Sequence, residues 1–577
     1  MAAISVVAGA AAVRAGAAPT GDATVDAVLT ALLVATVTWL GAAALRWDAA
    51  VLALLAAATS WNTLGAAIGV TTAVVGYALP LPRPYRSVAT AAMVGVALNI
   101  AARSQLGGFF GLSVIVFVAL AGGIGIVGAR RRSRAVRRAV VAAASVAVTL
   151  TVLAAMSLGV SGALATDDLR SANFRARSGL DALRDGDIDG ARETFARAAV
   201  NFERAGGRID HPITAIAGVV PGLAQHRRVT TELTRGGADA TRALVAHLGQ
   251  IDLDELGVSG GHIDLDAVRS LQQPLVAIDA EIARLQQTIA NVDSPWLAPP
   301  VANGIERLAD DLAEQRQRSR DAVNVALAAP ALLGGEGPRT YFIGFTTPAE
   351  ARGIGGFMGN WAEVTVTEGR IELTGFGRAD DLNDAGDPDT RRFTSAAAAA
   401  GSADPGLDEW LARYGAYNID SGPDGTTGPE VWKNINMSPD MAATGRAIAD
   451  LYPQSGGREL DGVFIMDVYA LARFLEFTGP IDLPDGQFFD GQRAVDVDTA
   501  PDFLLNGQYD LTSTEERIDV LEDISLSVID RLLATTLPPP TALLDALGPM
   551  VDQGRFTGWA ARGSEQNLFD QLGMSGT

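Results

Sequence analysis

Thr340–Phe357 reads TYFIGFTTPAEARGIGGF, and within it the character of the chain changes. Thr340–Thr346 is a β-rich run, and after a glycine-rich connection a second strand is expected over Trp361–Thr367. Glu368-Gly369 supplies a tight turn into a third, Arg370–Gly377, so the segment predicts a meander. Farther on, the spacing predicts a helix over Met441–Leu451, a strand over Gly462–Met466 and a helix over Val468–Phe477. The turn Thr478-Gly479-Pro480 follows, and another helix over Ser513–Leu533. Strands and helices interleave, which predicts an α/β, mixed-sheet sandwich over residues 331–577. Asp384–Thr427, rich in Gly, Asp and Ala around Trp410 and Tyr414, reads as a long insertion carrying one short helix.

Upstream of the change the period is helical. Residues 166–330 read as a helical bundle or stalk. Ala182 to Ala199, with Gly186-Asp187 at the bend, resembles one tetratricopeptide-like hairpin. Ile278, Ile282, Leu285 and Ile289, then Ile305, Leu308 and Leu312, form apolar seams on two helices that Pro295, Pro299 and Pro300 separate. The four His (His211, His226, His247, His262) share this region at no metal-ligand spacing.

Residues 1–165 are different again. They carry 11 Arg against 3 Asp, a net +8, whereas the remainder is strongly acidic and the whole chain of 577 residues is −21. A mean hydropathy of +0.20 despite that charge needs a membrane-like part. A helix crosses a bilayer with about 20 apolar residues. Ala27–Leu45, Gly107–Ala129 and Ala139–Ala165 meet that length without a charge, and Ser87–Ala102 is a shorter span. Ala49–Leu81 reads as a hairpin of two short helices broken at Trp61-Asn62-Thr63, and Met1–Ala18 as either a seventh span or a surface segment. Arg130, Arg131, Arg132, Arg134, Arg137 and Arg138 put six positive charges in nine residues, which the positive-inside rule assigns to the cytoplasm. Residues 166–577 are then expected outside a multi-pass cytoplasmic-membrane region of six or seven spans. Arg103 is the exception to that charge pattern, and the basic loop is no nucleic-acid site, being short and flanked by apolar segments. No charge lies deep in a clear span, which argues against a transporter. With no Cys at all, thiol nucleophiles, disulfides and Cys-based metal sites are excluded. The chain ends at Thr577 without a stop signal of structure, and a longer protein is an open expectation.

The run PAEARGIGGF followed by a strand, the helical lead-in, and Val431–Pro439 (VWKNINMSP) resemble the family called domain of unknown function 4012, over roughly residues 170–577. Its members are envelope proteins of Gram-positive and related bacteria, with no settled activity. A more distant resemblance is to the LytR–CpsA–Psr phosphotransferases, which move glycopolymers from polyprenyl pyrophosphate carriers onto peptidoglycan. FTTPAEAR is similar to that family's first Arg-bearing segment and assigns Arg352 to the site. Gly377-Arg378-Ala379-Asp380-Asp381 takes the place of its Pro-Arg-Asp run, Asp461–Asp467 with Thr478-Gly479-Pro480 that of its hub, and Arg517 that of its late helix arginine. Its Arg-Ser-Asp is Gly359-Asn360-Trp361 here, a loss of a carboxylate and an arginine.

The resemblance therefore implies Arg352, Arg378, Asp380 and Arg517 as catalytic candidates, Gly355, Gly356 and Lys433 as ligand-binding ones, and Asp380 with Asp381 as ligands of Mg²⁺. The chemistry is coherent: Arg offers a planar fork to phosphate oxygens, and carboxylates offer hard oxygen ligands. Each residue admits a second reading. Arg352 suits an ion pair with Glu350, Gly355-Gly356 a plain tight turn, Asp380-Asp381 a solvated loop, Lys433 an aromatic face beside Trp432, and Arg517 a surface helix. The expected partners are membrane lipid or polyprenyl-linked glycan, with other envelope proteins. The competing functions are transfer or binding of such a glycopolymer and a non-catalytic, glycan-binding scaffold.

Overall fold

The computed structural model describes residues 1–577 apart from 17, 61, 104–110, 253–255, 387–404, 415–430, 484–487, 508–513, 539 and 577. The chain divides into two compact units, one of residues 1–179, 193–245 and 281–315, the other of 180–192, 246–280 and 316–577.

The first unit is helical. It opens with α1 (Ala2–Val13), α2 (Ala23–Gly41), α3 (Arg46–Ala58), α4 (Thr63–Ala78), α5 (Arg83–Ala102) and α6 (Gly111–Arg130). The Asp22 carboxylate caps α2 by accepting from the amides of Thr24 and Val25. Asn62 caps α4, and a Cβ at Gly69 would fall 2.6 Å from that of Ala57, so α3 and α4 close as the expected hairpin on small residues. Ala23–Gly41, Arg83–Ala102 and the helix Arg134–Arg184 (α7) are long and apolar enough to cross a membrane, and Ala2–Val13, Thr63–Ala78 and Val114–Arg130 are shorter apolar helices. The span expected to end at Ala165 runs on without a break, since residues 166–184 hold no proline and their single glycine, Gly179, is buried in the helix. The turn at Gly186 (φ 75°) then leads into α8 (Ile188–Ile209).

α9 (Leu223–Leu248) begins against the α1–α2 connection. The Gly222 amide donates to Pro19 O at 2.8 Å, Gln225 Nε2 to Ala18 O at 2.7 Å and Arg228 Nη1 to Gly21 O at 2.9 Å. The basic loop lies instead by the other end of α2, where the Arg132 guanidinium stacks 4.2 Å from the Trp39 ring and Arg131 approaches Asp48 at 3.7 Å. Arg103 donates to Ala11 O at the C-terminus of α1, a carbonyl end that favours a cation. After α10 (Leu265–Ser270), the expected seams meet where α11 (Gln272–Val292) and α12 (Pro299–Leu332) join α9. Leu285, Ile289, Ile305, Leu308 and Leu312 share a cluster with Val229. His226 is structural, with Nδ1 bonded to Gly222 O at 2.8 Å and Nε2 accepting from the Ala298 amide at 2.9 Å.

The second unit is built on a five-stranded mixed sheet. Its strands are β1 (Arg339–Thr347), β2 (Phe357–Thr367), β3 (Arg370–Arg378), β4 (Gly462–Asp467) and, later, β7 (Phe556–Ala560), in the order β3-β2-β1-β4-β7. Only β1 and β4 pair in parallel. Glu368 (φ 48°) and Gly369 (φ 80°) both adopt the left-handed backbone that a two-residue hairpin demands. β2 starts four residues earlier than the sequence pattern, because Phe357 and Met358 pair with Thr347 and Thr346 across a register irregularity. β7 escaped the sequence reading: it is a short edge strand with Gly558 at its centre. The small β5 (Ile481–Asp482) and β6 (Ala494–Val495) pair separately.

Alternation along β1 sorts the two cores. Phe342 faces Trp432, Tyr452 and Ile448, covered by α13 (Asp381–Asp384), α14 (Pro405–Tyr414) and α15 (Met441–Leu451). Phe345 faces the opposite core, built with α16 (Val468–Arg473), α17 (Leu475–Thr478), α18 (Ala500–Leu505), α19 (Thr514–Ala534) and α20 (Pro540–Asp552). The helix expected over Val468–Phe477 is thus two, broken at Phe474, and α21 (Gly563–Gln571) ends the fold.

Candidate functional site

Because β1 and β4 are parallel, their C-terminal ends, paired at Thr346 and Asp467, open on one edge of the sheet. Open α/β sheets bind ligands at such an edge. The edge is closed over by the loop 348–356. Gly355 (φ 65°) and Gly356 (φ 95°) turn it back on β1. A Cβ at Gly355 would lie 2.3 Å from Thr346 Oγ1, and one at Gly356 only 2.0 Å from Thr347 O. Gly353 packs as closely on Met437 O. Asn436, fully buried, clamps the loop from the other side: Nδ2 donates to the carbonyls of Ile354 and Gly356, and its own carbonyl accepts from the Ile354 amide at 3.1 Å. The two glycines are therefore required for close packing, and the Gly356 carbonyl is already engaged.

Arg352 leaves this loop largely buried. Nη1 donates to Ala351 O at 2.9 Å, Nη2 is 3.6 Å from Glu350 Oε2, and the guanidinium lies 5.6 Å from the Phe357 ring. Its Nε is buried with no partner among the described residues. The ion pair with Glu350 is real, with Glu350 itself mostly exposed.

Arg378 ends β3 opposite Asn360 of β2, on the face of Phe345. Its Nε donates to Glu522 Oε2 on α19 at 3.0 Å, and each side chain keeps about a third of its surface exposed. Beside it the Asn360 amide is buried with no acceptor for Nδ2. Asp380 and Asp381 follow at the start of α13 and are exposed. Lys433 sits on the 3-10 turn Trp432–Asn434, held to α13 by the Trp432 amide donating to Asn383 Oδ1 at 3.2 Å. Trp432 itself is packed in the Phe342 core, so Lys433 belongs to the opposite layer from Glu522. Arg517 lies on α19, and its side chain is outside the described residues.

The sequence reading missed a third arginine at this edge. Arg555 precedes β7; its Nη1 donates to Asp467 Oδ2 at 2.7 Å, and its guanidinium stacks 4.0 Å over the Tyr469 ring. Asp467 Oδ1 caps α16, accepting from the amides of Tyr469 and Ala470. Burial pushes the Asp467 carboxyl above its ordinary range, against the pull of those amides and of Arg555. The available signal was a lone basic residue, Gly554-Arg555-Phe556, opening a short aromatic strand.

Arg352, Arg378 and Arg555 thus lie along one end of the sheet, on the loop before β2, at the end of β3 and ahead of β7, and among the described residues they contact Glu350, Glu522 and Asp467. Among the described residues no group of three or more His, Asp or Glu forms a metal cage. Asp380 and Asp381 supply at most two adjacent carboxylates, which fits Mg²⁺ only if water and ligand phosphate complete its shell.

No curated protein and no solved structure matches the chain. Residues 336–509 match the family model described as protein of unknown function (DUF4012), a stretch that holds β1–β4, the glycine loop, Asn436 and Asp467. Residues 336–509 of this domain, Arg352 and Arg378 among them, thus belong to the DUF4012 family.

Proposed function

We propose that this is a membrane-anchored cell-envelope protein whose extracytoplasmic α/β domain binds polyprenyl-pyrophosphate-linked glycopolymers in cell-wall assembly. The observation that carries the reading is the end of the sheet at which β1 and β4 open, along which Arg352, Arg378 and Arg555 are spaced beside a closely packed glycine loop. A pyrophosphate needs several charge-assisted donors held without reorganisation, and guanidinium forks on strand ends supply them. The resemblance to LytR–CpsA–Psr transferases supports the same ligand class. Asp380 and Asp381 would hold Mg²⁺ there, and the ion would neutralise phosphate charge. Binding without transfer is favoured by Gly359-Asn360-Trp361, which stands where that family has Arg-Ser-Asp and so lacks its arginine and its carboxylate.

The topology is supported by two placements within the first unit. The Arg130–Arg138 loop meets the C-terminal end of α2, and the Ala18–Gly21 connection at the opposite end meets the start of α9. Taken with the positive-inside rule, that arrangement supports a cytoplasmic loop and a helical segment on the outer side. A reporter active only in the cytoplasm, fused after Thr577, is expected to be silent; activity would overturn the topology. Calorimetric titration of the full chain in detergent with a soluble polyprenyl-pyrophosphate analogue tests the ligand. Binding weakened about 10- to 150-fold by Arg378→Ala is the expected result, and no heat above that of a neutral analogue would remove the pyrophosphate reading.

A further inference from the structure

Between α2, α6 and α7 runs a groove of about 480 Å³ whose walls are apolar, among them Leu33, Phe117, Gly122, Gly125 and Val141. Over Gly122 and Gly125 nothing lies within 4 Å of where a Cβ would stand, so the floor is open along α6. The groove does not end in apolar residues: Arg130 and Arg137, from the two sides of the basic loop, line its end, and both are exposed. Arg131 approaches Asp48 and Arg132 stacks on Trp39, whereas among the described residues Arg130, Arg134, Arg137 and Arg138 pair with no carboxylate, and of these four Arg130 and Arg137 line the groove.

We propose that this groove is a binding site for one anionic glycerophospholipid of the cytoplasmic leaflet, its phosphate held by Arg130 and Arg137 and an acyl chain lying over Gly122 and Gly125. Charge complementarity selects the occupant. An apolar slot alone would accept any chain or a helix, but a slot closed by two unpaired guanidiniums fits an apolar tail joined to a phosphate. Basic pockets between spanning helices on the cytoplasmic side hold anionic headgroups in this way, and Arg is the cation suited to phosphate geometry. The inference rests on the membrane reading above.

The test uses the full chain reconstituted in discs of mixed phosphatidylcholine and phosphatidylglycerol, then released into detergent for native mass spectrometry. The wild type is expected to retain phosphatidylglycerol in preference to phosphatidylcholine. Arg130→Gln with Arg137→Gln should cut that retention about tenfold or more, a loss of ~1.4 kcal/mol or more. Arg134→Gln with Arg138→Gln removes the same charge from the same loop and should leave it nearly intact. Gly125→Leu fills the slot without touching charge and should also lower retention. Equal losses in the two double variants would reduce the effect to general leaflet electrostatics and overturn the proposal. So would undiminished retention in Gly125→Leu, or preferential retention of a polyprenyl phosphate added in competition. A chain that fails to enter the discs overturns the membrane reading itself; one that enters and shows no preference overturns this inference alone.

Discussion

The central sheet has two ends, and both are built around arginine. At the start of β1, Arg339 is 1% exposed. It reaches Asp461 at 2.5 Å, Glu565 at 2.8 Å and Ala331 O at 3.0 Å, while the other Asp461 oxygen accepts from the Thr340 amide. At the far end Arg352, Arg378 and Arg555 have side chains 16%, 34% and 30% exposed, and among the described residues their carboxylate contacts are with Glu350, Glu522 and Asp467. The residue type is the same, but its circumstances differ. A guanidinium whose donors are committed to several fixed acceptors has nothing to offer a ligand, whereas Arg378, paired with a Glu522 that is itself a third exposed, can trade that partner for a phosphate. Burial and the number of partners separate scaffold from site more sharply than residue identity does.

The largest effect that would break this comparison is at the closed end. Arg339→Leu removes the buried cation from Asp461 and leaves Glu565 only the more distant Arg562 at 3.9 Å, and breaking a buried pair from one side costs about 3–5 kcal/mol. Denaturant unfolding of the full chain should record that loss in the transition reporting the second unit. Arg378→Ala should cost under about 1 kcal/mol, since half-exposed pairs contribute little. If Arg339→Leu proves as mild as Arg378→Ala, the two ends are alike and the distinction fails.

The open end should show its effect in binding instead. Arg352→Ala and Arg378→Ala should each weaken a polyprenyl-pyrophosphate analogue by about 10- to 150-fold, one charge-assisted hydrogen bond apiece. Arg→Lys recovers part of it, an ammonium having no fork. Titration calorimetry beside melting curves checks both halves of the expectation. A large melting shift with unchanged affinity at Arg352 would return that residue to its pair with Glu350.

The glycine loop sharpens the picture at a smaller scale. Gly356→Ala places a Cβ 2.0 Å from a backbone carbonyl at φ 95°, and should destabilise by roughly 1–3 kcal/mol. Gly359→Ala, with nothing within 4 Å of its Cβ, should stay within about 0.5 kcal/mol. Equal melting temperatures for the two would mean that the loop yields, and that the edge is not pre-built.

Much of this was legible in the chain. Hydrophobic period located β1, β3, β4 and α15 nearly to the residue, and Glu368-Gly369 announced its hairpin, because turn chemistry is local. Arg352, Arg378, Asp380 and Asp381 were found on one edge since each follows or ends a strand of the meander. What escaped reading depends on distant pairing. β7 is five residues with a central glycine, and only its ladder with β4 makes it a strand. Arg555 comes to the site through that ladder, 88 residues from Asp467. Glu522 reaches Arg378 across 144 residues, and nothing local to either names the other. Lys433, grouped with the arginines by charge alone, is carried into the opposite layer by its buried neighbour Trp432.

The smallest expected effect concerns Asp467, the 4% exposed carboxylate through which the open end is tied to the helix α16. Burial raises its carboxyl above the ordinary value of 3.8, the Ala470 amide and Arg555 notwithstanding. The folded chain then binds this proton more tightly than the unfolded chain does, so in that window the folded state carries more protons. Stability from this group therefore rises as pH falls through the raised value toward 3.8, and its cost is fully present above that window. Asp467→Asn has no such titration, and its carbonyl can still cap Tyr469 and Ala470. The stability of the variant relative to wild type should accordingly be highest at neutral pH and decline on acidification, every other carboxylate cancelling in the difference. Unfolding free energies of the two chains across the acid range measure it directly. A difference that grows on acidification would mean that Arg555 holds the carboxyl low, so that this pair is as tightly closed as Arg339 and Asp461 and Arg555 is no part of an exchangeable site.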